Sequence, residues 1–389
     1  MLNIKQTLLI TIGLFFAVTS CKKKGCTDPL ATNYNSEAQK DDGKCEYAPA
    51  PNYVVPSTYT FADASGNNTV SYGGQTARMD MLSEMTTYLK TANDGGGGLT
   101  PSTLNSTTLL EMYDNSYTGW GDTALVNNGK QLKSKTALED AGIQSQFETW
   151  MTAAAAASPS TNGTYLQDST GHEWTQLIEK GLMGACFASQ LTANYLAGIA
   201  SDDNTAAVNT GAGKYYTEME HHWDEAYGYF TDATDYPTSG TDRFWGKYAN
   251  NTLEANISSA TNIATAFRTG RAAISAGYPD DAIAQAAIIE NEVLKMVAGM
   301  AIHYLNETKA KVASGQPQTK VNHYMSEAYA FIFGIQFVNN TPISSNDINI
   351  ILAGIDTDFV GFTQSVVSIN SVIDQIALAT GLDSYKNDL

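Results

Sequence analysis

Basic residues are scarce in this chain of 389 residues. It carries 22 lysines and arginines against 40 aspartates and glutamates, so its formal net charge is −18 at pH 7. Proteins that bind nucleic acid without sequence preference neutralise phosphates with clustered lysine and arginine, and we exclude that function class. Hydrophobic residues make up 43% of the chain. This content excludes wholesale disorder, because such a chain can bury a core.

Apolar runs long enough to cross a membrane are also lacking. The run near the start covers residues 8–17, about ten residues where a membrane span needs about 20. Lys5 precedes this run, as in the basic region of a signal peptide. The segment at residues 18–21 (VTSC) resembles the cleavage site of bacterial lipoproteins, so we predict a signal peptide at residues 1–20 and a lipidated Cys21. A secretory signal with an incidental cysteine is the alternative.

Cysteine is rare too, with four in the whole chain. Beyond Cys21, Cys26 and Cys45 lie in one short segment and can form a disulfide in an oxidising compartment. Cys186 lies in an apolar stretch, which predicts a buried and unreactive thiol.

The segment around Cys26 and Cys45 has its own pattern. It runs from residues 25–29 (GCTDP) to residues 41–47 (DDGKCEY) and resembles a small cysteine-rich module of secreted Bacteroidota proteins. We predict a stapled spacer over residues 21–50 and a proline-rich linker over residues 51–56. Five side chains of the module are candidate Ca²⁺ ligands, although residues of these types also form turns: Asp28, Asn33, Asn35, Asp41 and Asp42.

Alternation of apolar and polar residues with a period of two is uncommon in the rest of the chain, where helical periodicity prevails. We therefore predict an all-α architecture of antiparallel helical bundles, with no sheet of consequence, for residues 57–389. Helices are predicted at residues 76–91, 104–113, 143–157, 172–198, 213–231, 252–276, 280–312, 320–337 and 366–380. Ser102, Asn251 and Asp280 are the predicted N-cap residues at or near three helix starts.

Only five histidines occur, and four of them precede a glutamate by three or four residues. Residues at this spacing share a helix face, and a bundle can bring imidazole and carboxylate ligands to a transition metal. The candidate metal ligands are His221, His222, Glu225, His323, Glu327 and Glu218. The alternative is a set of solvated surface pairs, which we favour for His303 and Glu307.

Two of these motifs repeat each other. Residues 221–230 (HHWDEAYGYF) and residues 323–332 (HYMSEAYAFI) share a histidine, a glutamate four residues later and the following alanine and tyrosine. The repeat indicates two halves related by duplication, which we place at residues 57–240 and 241–389.

The same motifs carry a family likeness. Over roughly residues 55–385 the chain resembles the imelysin-like group of exported bacterial proteins, and more closely a related Bacteroidota lipoprotein family of unassigned function. The resemblance implies a duplicated four-helix-bundle fold, a Gly-x-His-x-x-Glu motif and a link to iron uptake. On that pattern His222 and Glu225 occupy the histidine and glutamate positions, but Glu220 replaces the glycine.

Two arginines near these motifs have two interpretations. Arg268 and Arg271 follow Phe267 on a predicted helix and are candidates for an anion site or for ion pairs with Glu225 and Glu327. An ion pair that holds bundle helices together is the other interpretation.

Together these features predict a lipid-anchored outer-membrane protein that binds a metal, with iron first and zinc second, or a metal-bearing ligand for uptake. The first alternative is an accessory subunit that docks on an outer-membrane transporter or another surface complex. The second is an imelysin-type metallopeptidase with Glu225 as general base, which we rank lower because no zinc-peptidase motif occurs. The basic residues 22–24 favour the periplasmic face, whereas the cysteine-rich module favours the cell surface.

Overall fold

The structure is a computed structural model, and it divides into two compact units, Met1–Asn52 and Tyr53–Leu389. It describes residues 22–29, 31–46, 52–93, 100–162, 164–238, 240 and 242–389. The predicted signal peptide at residues 1–20 and the predicted lipidation site at Cys21 lie outside the described residues.

The first unit is a small loop-rich module closed by a disulfide. Its strands β1 (Lys24–Gly25) and β2 (Lys40–Asp41) pair in parallel, with Lys24 opposite Lys40. Cys26 and Cys45 form the disulfide, with Cα atoms 4.9 Å apart, as predicted. Because only four strand residues pair, the covalent link and local turns carry most of the order of this unit.

The second unit is all-α, which confirms the predicted fold class. Its α-helices are α1 (Gly73–Lys90), α2 (Ser106–Asp114), α3 (Ala141–Ala156), α4 (Trp174–Leu182), α5 (Glu218–Phe230), α6 (Phe244–Tyr248), α7 (Glu254–Ile257), α8 (Ser259–Ser275), α9 (Pro279–Ala313), α10 (Gln318–Ile335), α11 (Ser345–Asp356), α12 (Phe359–Gln364) and α13 (Val366–Thr380). Shorter 3₁₀ segments are Thr123–Leu125, Lys133–Glu139, Ile199–Ser201 and Thr210–Ala212, and π-helical segments are Met183–Ala188, Gln190–Leu196 and Ala249–Leu253. Within the described ranges, no helix combines the length and the apolarity that a membrane crossing requires.

Two of the predicted helices differ in detail from the observed ones. The helix predicted at 172–198 begins at Trp174 as α4 and continues through two π-helical segments. The helix predicted at 252–276 breaks at Ser258, whose φ of 52° lies in the left-handed region. Helices α6, α11 and α12 are not among the predicted ones.

The predicted N-caps are wrong at three helix starts. Asn105, not Ser102, caps α2 by accepting the Thr107 amide. Asp280 lies inside the first turn of α9, because Pro279 fits the first helical position, where a backbone N–H is not needed. Asn251 lies within a π-helical segment.

The long helix α9 organises the packing of the second unit. It contacts α8, α10 and α13, while α10 packs on α4 and α5 packs on α1 and α8. Glycine permits the closest of these approaches. A Cβ atom on Gly270 of α8 would lie 2.1 Å from Trp223 Cζ2, and one on Gly184 would lie 2.6 Å from the Gly334 Cα atom of α10. Trp223 is fully buried, so this contact fixes α5 against α8.

Candidate functional site

Both repeated motifs bring their histidine and glutamate together within one helical turn. His221 Nε2 lies 3.8 Å from Glu225 Oε2 on α5. His323 Nε2 lies 3.9 Å from Glu327 Oε2 on α10. The four-residue spacing therefore produces the same geometry twice, and we name these the first and the second His–Glu pair.

A backbone carbonyl orients the imidazole of the first pair. His221 Nδ1 donates a hydrogen bond to the carbonyl oxygen of Ser71 at 3.1 Å, and the ring stacks on Tyr216. A carbonyl can only accept, so the proton is on Nδ1, and the neutral ring presents the Nε2 lone pair to Glu225. Burial lowers the pKa of His221, which favours this neutral form. A lone pair that faces a carboxylate is a place for a cation.

A carboxylate orients the imidazole of the second pair. His323 Nδ1 donates to Glu173 Oε2 at 2.6 Å, and the ring stacks on Tyr165. Burial lowers the pKa of His323, but the hydrogen bond and charge of Glu173 outweigh it and the pKa is raised. Burial also raises the pKa of Glu327 to about 7. The second pair therefore favours an imidazolium, unlike the first.

The partners of the two glutamates differ as well. Gln75 Nε2 donates to Glu225 Oε1 at 2.9 Å. Glu327 instead has the Lys180 ammonium 3.9 Å from its Oε1 atom. The Glu225 carboxylate thus meets a neutral amide, whereas Glu327 lies beside a cation that is closer still to Glu179.

The structural repeat extends beyond the motifs. The residue three positions after each histidine accepts the backbone N–H that anchors the motif: Asp224 accepts from Ser71, and Ser326 accepts from Glu173. Ser71 and Glu173 each stand just before a helix, α1 and α4. This equivalence supports the predicted duplication of the His–Glu motif.

A short hairpin leads into each of these helices. The bridge between Ala62 and Asn68 precedes α1, and the bridge between Gln167 and Glu173 precedes α4. In each hairpin the residue after the first bridge position is an aspartate, Asp63 or Asp168, whose carboxylate accepts turn amides. Sequence reasoning missed these segments, although the aspartates that begin the two turns were a detectable signal.

His222 turns away from Glu225. Its Nδ1 atom lies 2.9 Å from Asp202 Oδ2, and its ring lies beside Tyr195. Burial and the negative charge of Glu218 raise the pKa of Asp202, and they outweigh His222, which acts to lower it. Asp202 is therefore a site residue that the sequence pattern did not indicate, because it comes from a loop before α5.

The described contacts of the two His–Glu pairs have no residue in common. The first pair contacts Ser71, Gln75 and Tyr216, and the second contacts Glu173, Lys180 and Tyr165. Among the described residues, no group of three or more histidine, cysteine, aspartate or glutamate side chains has the geometry to hold a metal ion. Each His–Glu pair thus offers two side chains of these four types among the described residues.

Arg271 forms buried ion pairs between two helices. Its fully buried guanidinium donates from Nε to Asp224 at 2.9 Å and from Nη1 to Glu220 at 2.6 Å. Burial raises the pKa of Asp224 to about 6, although Arg271 opposes the shift. Arg268 donates to the Tyr236 carbonyl at 3.4 Å. Of the two interpretations drawn from the sequence, the ion pair between bundle helices describes Arg271.

Glu220 also stabilises the start of α5. It closes a capping box with Thr217 at the start of α5: the Thr217 side chain accepts the Glu220 amide, and the Glu220 carboxylate accepts the Thr217 amide. Glu220 is thus a structural residue that caps α5 and binds Arg271.

The remaining candidates have local partners. Glu307 forms an ion pair with Lys311 on α9, and burial lowers the pKa of His303. In the first unit, the side-chain oxygens of three candidate Ca²⁺ ligands accept backbone amides two residues later and close turns: Asn35, Asp41 and Asp42. The Asn33 side chain accepts the more distant Glu46 amide. Asp28 accepts, through its backbone carbonyl, the Ala31 amide.

One family model matches most of the chain. Its description is "Domain of unknown function (DUF4856)", and it covers residues 56–383. No curated protein and no solved structure matches the chain.

Proposed function

The chain belongs to the DUF4856 family of domains of unknown function, and from its geometry we propose that it binds a transition-metal ion, or a metal-bearing ligand, at His221 and Glu225. Iron is the first candidate cargo and zinc the second. The observation that carries the proposal is the orientation of His221, whose Nδ1 proton is held by Ser71 so that Nε2 faces the Glu225 carboxylate.

The dimensions of the first pair suit a metal. Bonds of about 2.0–2.2 Å from a metal to imidazole nitrogen and to carboxylate oxygen can span the 3.8 Å between His221 Nε2 and Glu225 Oε2. The Ser71 carbonyl is the kind of outer partner that orients ligating histidines. Two protein ligands leave positions that water or the donor atoms of a chelating ligand would fill.

The second pair is less suitable for a metal. The Lys180 ammonium lies beside Glu327, where it would repel a metal cation, and Glu173 favours the protonated form of His323, which has no lone pair to give. We infer that the duplicated motif binds cargo at the first pair and holds α10 against α4 at the second.

The proposed role is uptake at the cell envelope. We propose that Cys21 is lipidated in the outer membrane of a Bacteroidota cell, that the chain is a distant relative of the imelysin-like proteins, and that an outer-membrane transporter is its partner. A lipid anchor with a disulfide-closed module fits a tethered binding protein better than a freely diffusing enzyme.

Metal titration of the purified protein tests the proposal. We expect Fe²⁺ or Zn²⁺ to bind with a stoichiometry near one, measured by calorimetry and by elemental analysis after desalting. His221→Ala and Glu225→Ala should each weaken binding by about tenfold or more, with helicity unchanged by circular dichroism.

The pair His303 and Glu307 provides a matched control, because it has the same spacing on another helix. His303→Ala and Glu307→Ala should leave the affinity unchanged. If the wild-type protein retains no metal, or if the control variants lose as much affinity as the site variants, the metal-binding proposal fails and an accessory role gains support. Peptide hydrolysis that depends on Glu225 would favour the peptidase.

A further inference from the structure

A cavity of about 340 Å³ lies between α3, α4, α10 and α11, and it shares no residue with the first His–Glu pair. Small-molecule sites in proteins have volumes of about 300–1,000 Å³, so the cavity suits a small ligand. Aromatic rings form much of its wall, and its described lining residues include neither lysine nor arginine. This combination excludes an anion as the ligand.

Four aromatic side chains line the cavity: Trp150 of α3, Trp174 of α4, and Tyr329 and Phe333 of α10. Trp174 is half-buried, and the other three keep 5–8% of their surface exposed, whereas Trp223 in the core keeps none. The rings are close together, since the centroids of Trp150 and Phe333 lie 5.2 Å apart. A cation within about 6 Å of an aromatic ring centroid is attracted by the electrons of the ring face. The cluster of rings therefore favours a cationic ligand.

One carboxylate also lines the cavity. Asp356 Oδ1 accepts a hydrogen bond from His172 Nε2 at 3.0 Å, and Oδ2 accepts one from the Tyr329 hydroxyl at 2.9 Å. Each carboxylate oxygen has two lone pairs, so each keeps one that these donors do not use. The Asp356 side chain is 44% exposed and has no lysine or arginine partner in the described part of the chain. A neutral imidazole and a phenol thus hold this carboxylate without cancelling its charge.

The backbone of α11 adds negative potential at the same place. The helix is twelve residues long and ends at Asp356, and residues of its last turns line the cavity. The C-terminus of a helix carries a partial charge of about −0.5, which stabilises a cation nearby. The helix end and the carboxylate therefore act in the same direction.

We propose that this cavity binds a small organic cation that carries a quaternary ammonium group, with the aromatic rings around the ammonium and Asp356 balancing its charge. A quaternary ammonium has no N–H group to pair, so ring faces and one carboxylate satisfy it. A metal ion would need a set of close ligands, and no group of three or more metal-ligating side chains occurs among the described residues. The proposal does not depend on the proposed metal site.

The exposed carboxamides of Gln146 and Asn349 line the same cavity. Neither side chain has a hydrogen-bond partner among the residues that the structure describes. A carboxamide can both donate and accept. These two groups are therefore available to a hydroxyl or carbonyl on the ligand.

Calorimetry on the purified protein at about pH 8, where an imidazole is ordinarily neutral, tests the proposal. Choline and tetramethylammonium are the probes, because both carry the quaternary ammonium group. The control ligand is the neutral analogue of choline that has carbon in place of the charged nitrogen. We expect both cations to bind, and the neutral analogue to bind at least about tenfold more weakly than choline.

Substitutions separate the charge from the rings. Asp356→Asn should weaken choline binding by about tenfold, because it removes the negative charge. Tyr329→Phe removes the hydroxyl that donates to Asp356 but keeps the ring and the charge, so its affinity should stay within about twofold of the wild type. Trp174→Leu should weaken binding by about three- to tenfold, and Trp174→Phe, which retains a ring, by less. Circular dichroism checks that helicity is unchanged.

Two substitutions outside the cavity are the matched controls. Asp374→Asn removes an exposed carboxylate of α13, and Tyr385→Leu removes an aromatic side chain that is 41% exposed. Neither residue lines the cavity, so both variants should bind choline as the wild type does. The proposal is overturned if neither cation binds, if the neutral analogue binds as well as choline, or if Tyr329→Phe loses as much affinity as Asp356→Asn.

Discussion

Arg271 is a residue on which two helices depend. Its guanidinium is fully buried and bonds to Asp224 and Glu220 of α5, while the residue itself belongs to α8. Removing one partner of a buried ion pair leaves an uncompensated charge. A single substitution at this position should therefore act on the packing of both helices.

We expect Arg271→Met to lower the free energy of unfolding by about 3–5 kcal/mol, measured by denaturant titration. Arg268→Met, three residues earlier on α8, is the control and should change it by less than about 1 kcal/mol, because Arg268 makes only long hydrogen bonds. Equal losses in the two variants would show that the buried network does not stabilise this packing.

Gly270 permits the close packing of α8 against α5. A Cβ atom at Gly270 would come within 2.1 Å of the buried Trp223 ring, so Gly270→Ala should force the two helices apart. Overpacking of this kind costs about 1–3 kcal/mol, and we expect a loss of this size or more in thermal unfolding.

Gly354 on α11 offers a control with the opposite sign. Nothing lies within 4 Å of a Cβ atom added there, and alanine is the better helix former by about 0.5–1 kcal/mol. Gly354→Ala should therefore raise the melting temperature slightly. A destabilised Gly354→Ala variant, or a neutral Gly270→Ala variant, would contradict this account of the packing.

At the scale of the whole molecule, the two compact units have separate sources of order. The first has four paired strand residues and the Cys26–Cys45 disulfide, which closes a loop with a sequence separation of 19. The second has an apolar core of its own. Cys186 is buried in this core, which raises the pKa of its thiol to about 12.

The double variant Cys26→Ser with Cys45→Ser should consequently unfold the first unit alone, because a module this small lacks a core to replace the disulfide. The helical signal in circular dichroism should melt at the wild-type temperature, while proteolysis should begin within residues 22–46. A lowered melting temperature of the helices would instead show that the two units are energetically coupled.

The sequence alone was enough to predict the features whose physical signal is local. Helical periodicity predicted nine helices that correspond to observed ones, because the apolar residues on one face of a helix recur every three or four residues. The same steps brought His221 to Glu225 and His323 to Glu327. Closeness along the chain was enough to pair Cys26 with Cys45.

The tertiary structure decided everything that depends on partners from distant segments. Spacing made the two His–Glu pairs look equivalent, but the first meets the Ser71 carbonyl and the neutral Gln75 amide, whereas the second meets the Glu173 carboxylate and the Lys180 ammonium. These partners lie about 150 residues away in sequence, in or just before α1 and α4, so no local period encodes them. The chain thus specifies its helices and its disulfide locally, and the charge balance of each site only through folding.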